Sequence, residues 1–141
     1  MKNWLEMTAA ELGRGIEDGS IDPVTLTETY LAAIQAHPLQ DRTYARVTAD
    51  RARAEAAAAA GRARAGLRLS PPDGVPISWK DLFDTAGCAT EAGTALLKDR
   101  IPEADAKVLR NATAAGLVCL GKTHLSELAF SGLGVNPITA T

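Results

Sequence analysis

Gly74-Val75-Pro76-Ile77-Ser78-Trp79-Lys80-Asp81-Leu82-Phe83-Asp84-Thr85-Ala86-Gly87 is the stretch on which the fold turns. Between its two glycines, Val75, Ile77 and Trp79 alternate with Pro76, Ser78 and Lys80. Successive side chains of a pleated strand leave on opposite sides, so this period of two marks a β-strand with one apolar face. Lys80 then leaves near the strand's end, on the face opposite Trp79. Asp81 and Asp84 follow in a turn. Two readings of Lys80 are open on this pattern. It is a solvated strand end, or it sits in a dry pocket where desolvation lowers its pKa and the neutral amine acts as a base.

Working outward, Leu117-Val118-Cys119-Leu120 is a continuous apolar run of strand length, as in a parallel strand buried on both faces. Between the two strands, Pro102, Glu103 and Asp105 open a helix whose inner face is Val108, Leu109 and Ala112 and which ends at Gly116. Strand, helix, strand is a βαβ unit, which places the chain in the α/β class. Upstream, Thr8 and Glu11 form a capping box before a helix carrying Leu12 and Ile16 and stopping near Gly19. Asp22-Pro23 begins a second helix with the apolar stripe Leu26, Tyr30, Leu31 and Ile34, ended by His37-Pro38. Thr43 to Val47 is a short strand. Thr48 caps an alanine-rich helix that runs to about Arg64 and packs through Ala52, Ala56, Ala59 and Ala63. Its Arg51, Arg53, Glu55, Arg62 and Arg64 point to water.

Composition narrows the function classes. The chain has 141 residues and a formal net charge of −2, with no basic excess to suggest nucleic acid or an anionic membrane surface. No apolar run approaches membrane-spanning length, and the N-terminus lacks a signal-peptide core. Cys88 and Cys119 lie far apart with no Cys-x-x-Cys, so reduced thiols are expected rather than a disulfide or metal site. A cytoplasmic protein follows as the default.

Gly116 to Thr123 satisfies the phosphate-loop pattern G-x-x-x-x-G-K-[ST]. That pattern needs a strand before it, a flexible loop within it and a helix after it. Here a helix precedes Gly116 and the four intervening residues are bulky and apolar, so they form the strand and cannot curl their amides around a phosphate. An NTPase is therefore a formal alternative only.

The opening stretch resembles the lysine-bearing strand of the amidase signature family, through Gly74, Val75, Pro76, Lys80, Asp81, Asp84 and Gly87. Ala92-Gly93-Thr94 resembles that family's Ala-Gly-Ser, with Thr94 keeping a hydroxyl. Gly121 to Ala129 resembles its Gly-Lys-Thr-Asn-x-x-Glu-x-Ala segment, with His124 in the asparagine's place and Lys122 and Glu127 in structural roles. Ser126 has no base visible beside it. The resemblance implies the N-terminal portion of the amidase signature fold, a mixed β-sheet core flanked by helices. Residues 1–141 would be the first part of one amidase domain, with a helical region over about 1–40 and an α/β part over about 43–141.

The resemblance also implies carboxamide hydrolysis by a Ser-Ser-Lys triad of which only Lys80 lies in this sequence. Neutral Lys80 would accept a proton from a bridging serine held by a cis peptide. That serine would in turn activate a nucleophilic serine, giving an acyl-enzyme that water hydrolyses. Ser131, Gly132 and Gly134, in the loop Phe130 to Pro137, would line the acyl pocket. Neither metal nor organic cofactor is implied. The expected partner is a small-molecule amide, with no direct nucleic-acid or membrane contact and homo-oligomerisation left open. No Gly-Gly-Ser-Ser run occurs, so the sequence is expected to be the front piece of a longer amidase and inactive alone. The alternatives are a non-catalytic scaffold and an amidotransferase A-type subunit.

Overall fold

The computed structural model describes residues 3–139 and 141. Helix α1 (Ala9–Glu17) begins with the expected capping box. Thr8 Oγ1 accepts from the Glu11 amide at 3.2 Å, and the Glu11 carboxylate accepts from the Thr8 amide at 2.8 Å, satisfying donors the first turn cannot. Helix α2 (Pro23–Ala36) has Pro23 at its first position, with Asp22 accepting from the Thr25 amide at 2.8 Å. Leu12, Ile16, Ile21 and Leu26 close on Val75, which fixes the helical pair to the chain just ahead of the lysine strand.

A single turn, α3 (Gln40–Thr43), leads into β1 (Tyr44–Val47) and then α4 (Ala49–Ala65). Ala52 and Ala56 are fully buried with Leu31, Val118 and Leu120, because methyl side chains let helix and sheet approach closely. Two expectations for α4 are corrected. Thr48 stands at the N-cap, yet its hydroxyl donates to the Cys119 carbonyl at 2.9 Å rather than capping the helix, because the sheet brings that acceptor within reach. Arg51 and Glu55 are not solvated. Arg51 forks onto Asp105 at 3.0 and 2.8 Å and holds Glu55 at 2.8 Å, and Glu55 accepts from the Cys119 amide at 2.7 Å. Arg62 likewise grips the buried Asp73 at 2.6 and 2.8 Å.

Strand β2 (Pro76–Lys80), helix α5 (Lys107–Ala114) and strand β3 (Val118–Thr123) form the expected βαβ unit. The sheet is mixed, in the order β1-β3-β2, with β2 parallel and β1 antiparallel to β3. Helix α5 starts at Lys107, later than the acidic residues suggest, because Asp105 accepts from the Ala86 amide at 2.7 Å and pairs with Arg51 instead of opening the helix. Leu109 points inward against Trp79 and Cys119, whereas Val108 is exposed at the surface.

Both glycines of the phosphate-loop pattern have packing explanations. Gly116 turns α5 into β3 with φ of 91°, and a Cβ there would lie 2.2 Å from Asp73 Oδ1. Gly121 lies inside β3, and a Cβ would lie 2.4 Å from the Arg46 carbonyl oxygen across the strand pair. The intervening residues are a strand and Lys122 is wholly buried, so the segment has no phosphate cradle.

Candidate active site

The two sides of β2 go to different surroundings. Trp79 packs on Leu109 and Cys119 beneath α5 and meets Phe83 edge to face, with ring centroids 5.5 Å apart. Ser78 and Lys80 leave on the other side, where Val118 and Leu120 pack against α2 and α4. Lys80 lies at the strand's last position and is exposed, not in a dry pocket. Among the described residues its amine makes no hydrogen bond or ion pair. Thr123 of β3 is its register partner, and Tyr44 of β1 is the register partner of Thr123, so the three form one rung of the sheet. The Tyr44 and Ser78 hydroxyls meet at 2.6 Å.

The two carboxylates that follow Lys80 are both claimed by other cations. Asp81, 2% exposed, has Oδ1 3.1 Å from Lys122 Nζ, a charge contact without hydrogen-bond alignment. Its Oδ2 accepts from Arg46 at 3.2 Å and from the Glu91 amide at 3.1 Å. Arg46 also binds Glu91, and Lys122 donates to Thr90 at 2.8 Å. Backbone bonds complete the clamp: the Asp81 amide donates to the Thr123 carbonyl at 2.9 Å, and its carbonyl accepts from the Ala92 amide at 2.8 Å. Asp84 is held by Arg100 at 2.6 and 2.8 Å, which keeps its carboxyl below the usual range. The Asp99 amide, against partial burial and with help from Arg46, does the same for Glu91.

This network borders a polar cleft of about 430 Å³, lined by Arg46, Asp81, Glu91, Thr94, Lys98 and His124. Neither Lys80 nor the loop residues Ser131, Gly132 and Gly134 line that cleft; the three loop residues are exposed beyond β3. Ser126 is buried and donates to the Ser131 carbonyl at 2.9 Å, so its hydroxyl is a loop tether. Glu127 accepts from Thr94 at 2.7 Å and does not touch Lys122. Among the described residues no α-helix follows Lys122; the chain makes a 3-10 turn (Glu127–Ala129) with Leu128 and Ala129 at positive φ. Among the described residues no cluster of three or more His, Cys, Asp or Glu could hold a metal, and no helix is long and apolar enough to cross a membrane.

Sequence reasoning missed Arg46 and Asn136. The buried Asn136 side chain donates to the Gly93 and Leu125 carbonyls at 2.8 and 3.0 Å and accepts from the Ile138 amide at 2.9 Å, tying the last loop to the segment after the lysine turn. The sequence marked Phe130 to Pro137 as a loop but gave no sign of these partners.

Comparison with known proteins agrees with this geometry. The family model described as Amidase matches residues 25–141. The A-type subunit of glutamyl-tRNA(Gln) amidotransferase from Anaeromyxobacter dehalogenans is 42% identical over 126 residues, 89% of this chain and 26% of that protein. Native peptide amidase from Stenotrophomonas maltophilia superposes with a TM-score of 0.80 at 35% identity, over 88% of this chain and 26% of its own. A fatty acid amide hydrolase shares the fold at a TM-score of 0.85 and 19% identity, over 97% of this chain and 24% of its own. The chain thus spans about a quarter of the length of the curated relatives it matches. With the glycine-framed lysine strand, the βαβ unit and a family match over most of its length, this chain belongs to the amidase family.

Proposed function

We propose that the protein hydrolyses a carboxamide to a carboxylate and ammonia or an amine, with Lys80 as the base of a Ser-Ser-Lys triad. The observation that carries this reading is the isolation of Lys80. It stands exposed at a strand end with no hydrogen bond or ion pair among the described residues, while Asp81 and Asp84 are paired elsewhere. A carboxylate beside the amine would favour the ammonium form and hold the proton on it, and among the described residues none pairs with it. The two serines and the oxyanion donors are expected from chain outside residues 1–141, which would also cover the exposed amine. Residues 1–141 are then the first part of one amidase domain, inactive alone. Ser131, Gly132 and Gly134 are proposed to line the acyl pocket once that further chain is in place.

The mechanism is a proton relay. Lys80 takes a proton from the bridging serine as that serine activates the nucleophile, and returns it to the leaving amine when the tetrahedral intermediate collapses. The step consumes one water in deacylation and leaves Lys80 neutral again. A second reading is an amidotransferase component, favoured by the 42% identity to the A-type subunit of a glutamyl-tRNA(Gln) amidotransferase.

The test is ammonia release by the whole protein from a panel of aliphatic, aromatic and peptide amides, beside a Lys80→Ala variant. Loss of release in a folded Lys80→Ala protein supports the triad lysine. Release only from glutamine, and only with glutamyl-tRNA(Gln) and a partner protein present, selects the second reading. No release from any amide points to a non-catalytic scaffold.

A further inference from the structure

We infer that Arg46 is a positioning residue for Lys80, acting through Asp81: its guanidinium fixes the Asp81 carboxylate and with it the Lys80–Asp81 peptide. This rests on the reading of Lys80 as the base. Among the described residues the amine has no hydrogen bond or ion pair, so its place is set by the backbone that carries it. That backbone is pinned on both sides of the peptide. The Lys80 carbonyl accepts from the Phe83 amide at 3.1 Å, and the Asp81 amide donates to the Thr123 carbonyl at 2.9 Å. The Asp81 carbonyl accepts from the Ala92 amide at 2.8 Å. A lysine without contacts of its own follows any shift of this peptide directly, and about 1 Å of misplacement can cost roughly 100-fold in rate.

The sheet is irregular at the point that aims Arg46. Pairing runs from Tyr44 opposite Thr123 to Arg46 opposite Lys122, so Ala45 is an extra residue and β1 bulges there. In an unbroken antiparallel register Ala45 would face Lys122, and Arg46 would leave on the other side of the sheet. The bulge instead sets Arg46 on the face of Lys122, where Nη1 donates to Asp81 Oδ2 at 3.2 Å and Nη2 donates to Glu91. Glu91 closes the ring. Its amide donates to the same Asp81 oxygen at 3.1 Å, and its carboxylate accepts from the Asp99 amide at 2.8 Å. Lys122 supplies charge but no direction: its amine lies 3.1 Å from Asp81 Oδ1 without hydrogen-bond alignment and donates to Thr90. Arg46 is thus the side chain that gives Asp81 a directed bond, through a planar fork charged at every working pH. Its side chain is 27% exposed against 3% for Asp81, so shortening it leaves Asp81 with the Lys122 charge and the fold with its strut.

The experiment uses the whole protein, its Arg46→Gln and Arg46→Lys variants, Arg53→Ala as a control, and Arg46→Gln combined with Lys80→Ala. Ammonia release gives kcat and KM, and hydrogen–deuterium exchange read by mass spectrometry follows the lysine turn without depending on activity. Arg46→Gln is expected to lower kcat by about 10- to 100-fold with KM unchanged. Exchange at Asp81 and Ala92 quickens in the same protein. Arg46→Lys, which keeps the charge but cannot fork onto both carboxylates, falls between Arg46→Gln and the parent. Arg53→Ala matches the parent. In the Lys80→Ala background Arg46→Gln lowers the residual rate no further, because the two residues act as one unit. A parent kcat in folded Arg46→Gln protein overturns the inference, as does a raised KM with kcat kept, which makes Arg46 a substrate contact. A fall that adds in full to that of Lys80→Ala overturns it as well. Where Arg46→Gln does not fold, Arg46→Lys is held to the same criteria. Retained activity in Lys80→Ala defeats the base reading instead, whereas an inactive Lys80→Ala beside a fully active Arg46→Gln defeats this inference alone.

Discussion

Lys80 and Lys122 stand one rung apart on neighbouring parallel strands, and their surroundings are opposite. Lys122 is 0% exposed, donates to Thr90 and faces a carboxylate that also holds Arg46. Lys80 is exposed and has no such partner. The strand pleat makes this division: Trp79 and Lys122 pair on the α5 side, while Lys80 and Thr123 pair on the side of α2 and α4. Burial alone therefore does not mark a reactive lysine. A buried lysine held between a carboxylate and a hydroxyl serves as a strut, and Lys80 has no such partners among the described residues.

The comparison can be strained from the strut side first. Lys122→Ala leaves Asp81 buried with its nearest cation gone, and a loss of about 3–5 kcal/mol in chemical denaturation is expected. A loss below about 1 kcal/mol, the range of surface pairs, contradicts the strut. Acid should weaken the same interior. Burial raises the Asp73 carboxyl, but the Arg62 fork and the Leu69 amide outweigh it, and Arg51 chiefly lowers Asp105. Carboxyls depressed in the folded state add stability above their unfolded pKa, near 4, and lose it as pH falls through the folded values. Thermal unfolding temperature should then be level above about pH 5 and fall steeply below about pH 4. A flat profile down to pH 3 would break this account.

Smaller effects sharpen the picture. Asn136→Ala removes three hydrogen bonds at a buried site and should cost about 1–3 kcal/mol, with faster amide exchange in the loop it anchors. Unchanged exchange after Gly134 would show that the loop is held by something else. Arg53→Ala breaks a solvent-exposed pair with Glu28 and should leave the melting temperature unchanged, in contrast to the partly buried Arg51 on the same helix.

Much of the fold was legible because its signals are local. Alternation around Trp79, the Thr8–Glu11 box, Pro23 at a helix start and the apolar run into β3 each specify one element within a few residues. The phosphate-loop pattern could be set aside for the same reason, from the bulk of residues 117–120. What was not legible joins residues far apart in the chain. Arg46 to Asp81, Arg51 to Asp105 and Asn136 to Gly93 follow from sheet order and loop packing, and no spacing rule encodes them. That is why Arg51 was expected in water and is found in an ion network. The site divides in the same way. The place of Lys80 at the strand end was legible, with a solvated end as one of two open readings, whereas the Tyr44 hydroxyl across the sheet from Ser78 was not.

The most direct measurement compares Lys80→Ala and Lys122→Ala in the whole protein, recording kcat/KM on a responsive amide together with the melting temperature. For Lys80→Ala the expected result is a fall in kcat/KM of about 10²–10⁴, the usual range for loss of a general base, with the melting temperature unchanged. For Lys122→Ala the expected result is a large fall in melting temperature. An active Lys80→Ala protein, or one that loses activity only because it unfolds, would contradict the assignment of chemistry to Lys80 and structure to Lys122.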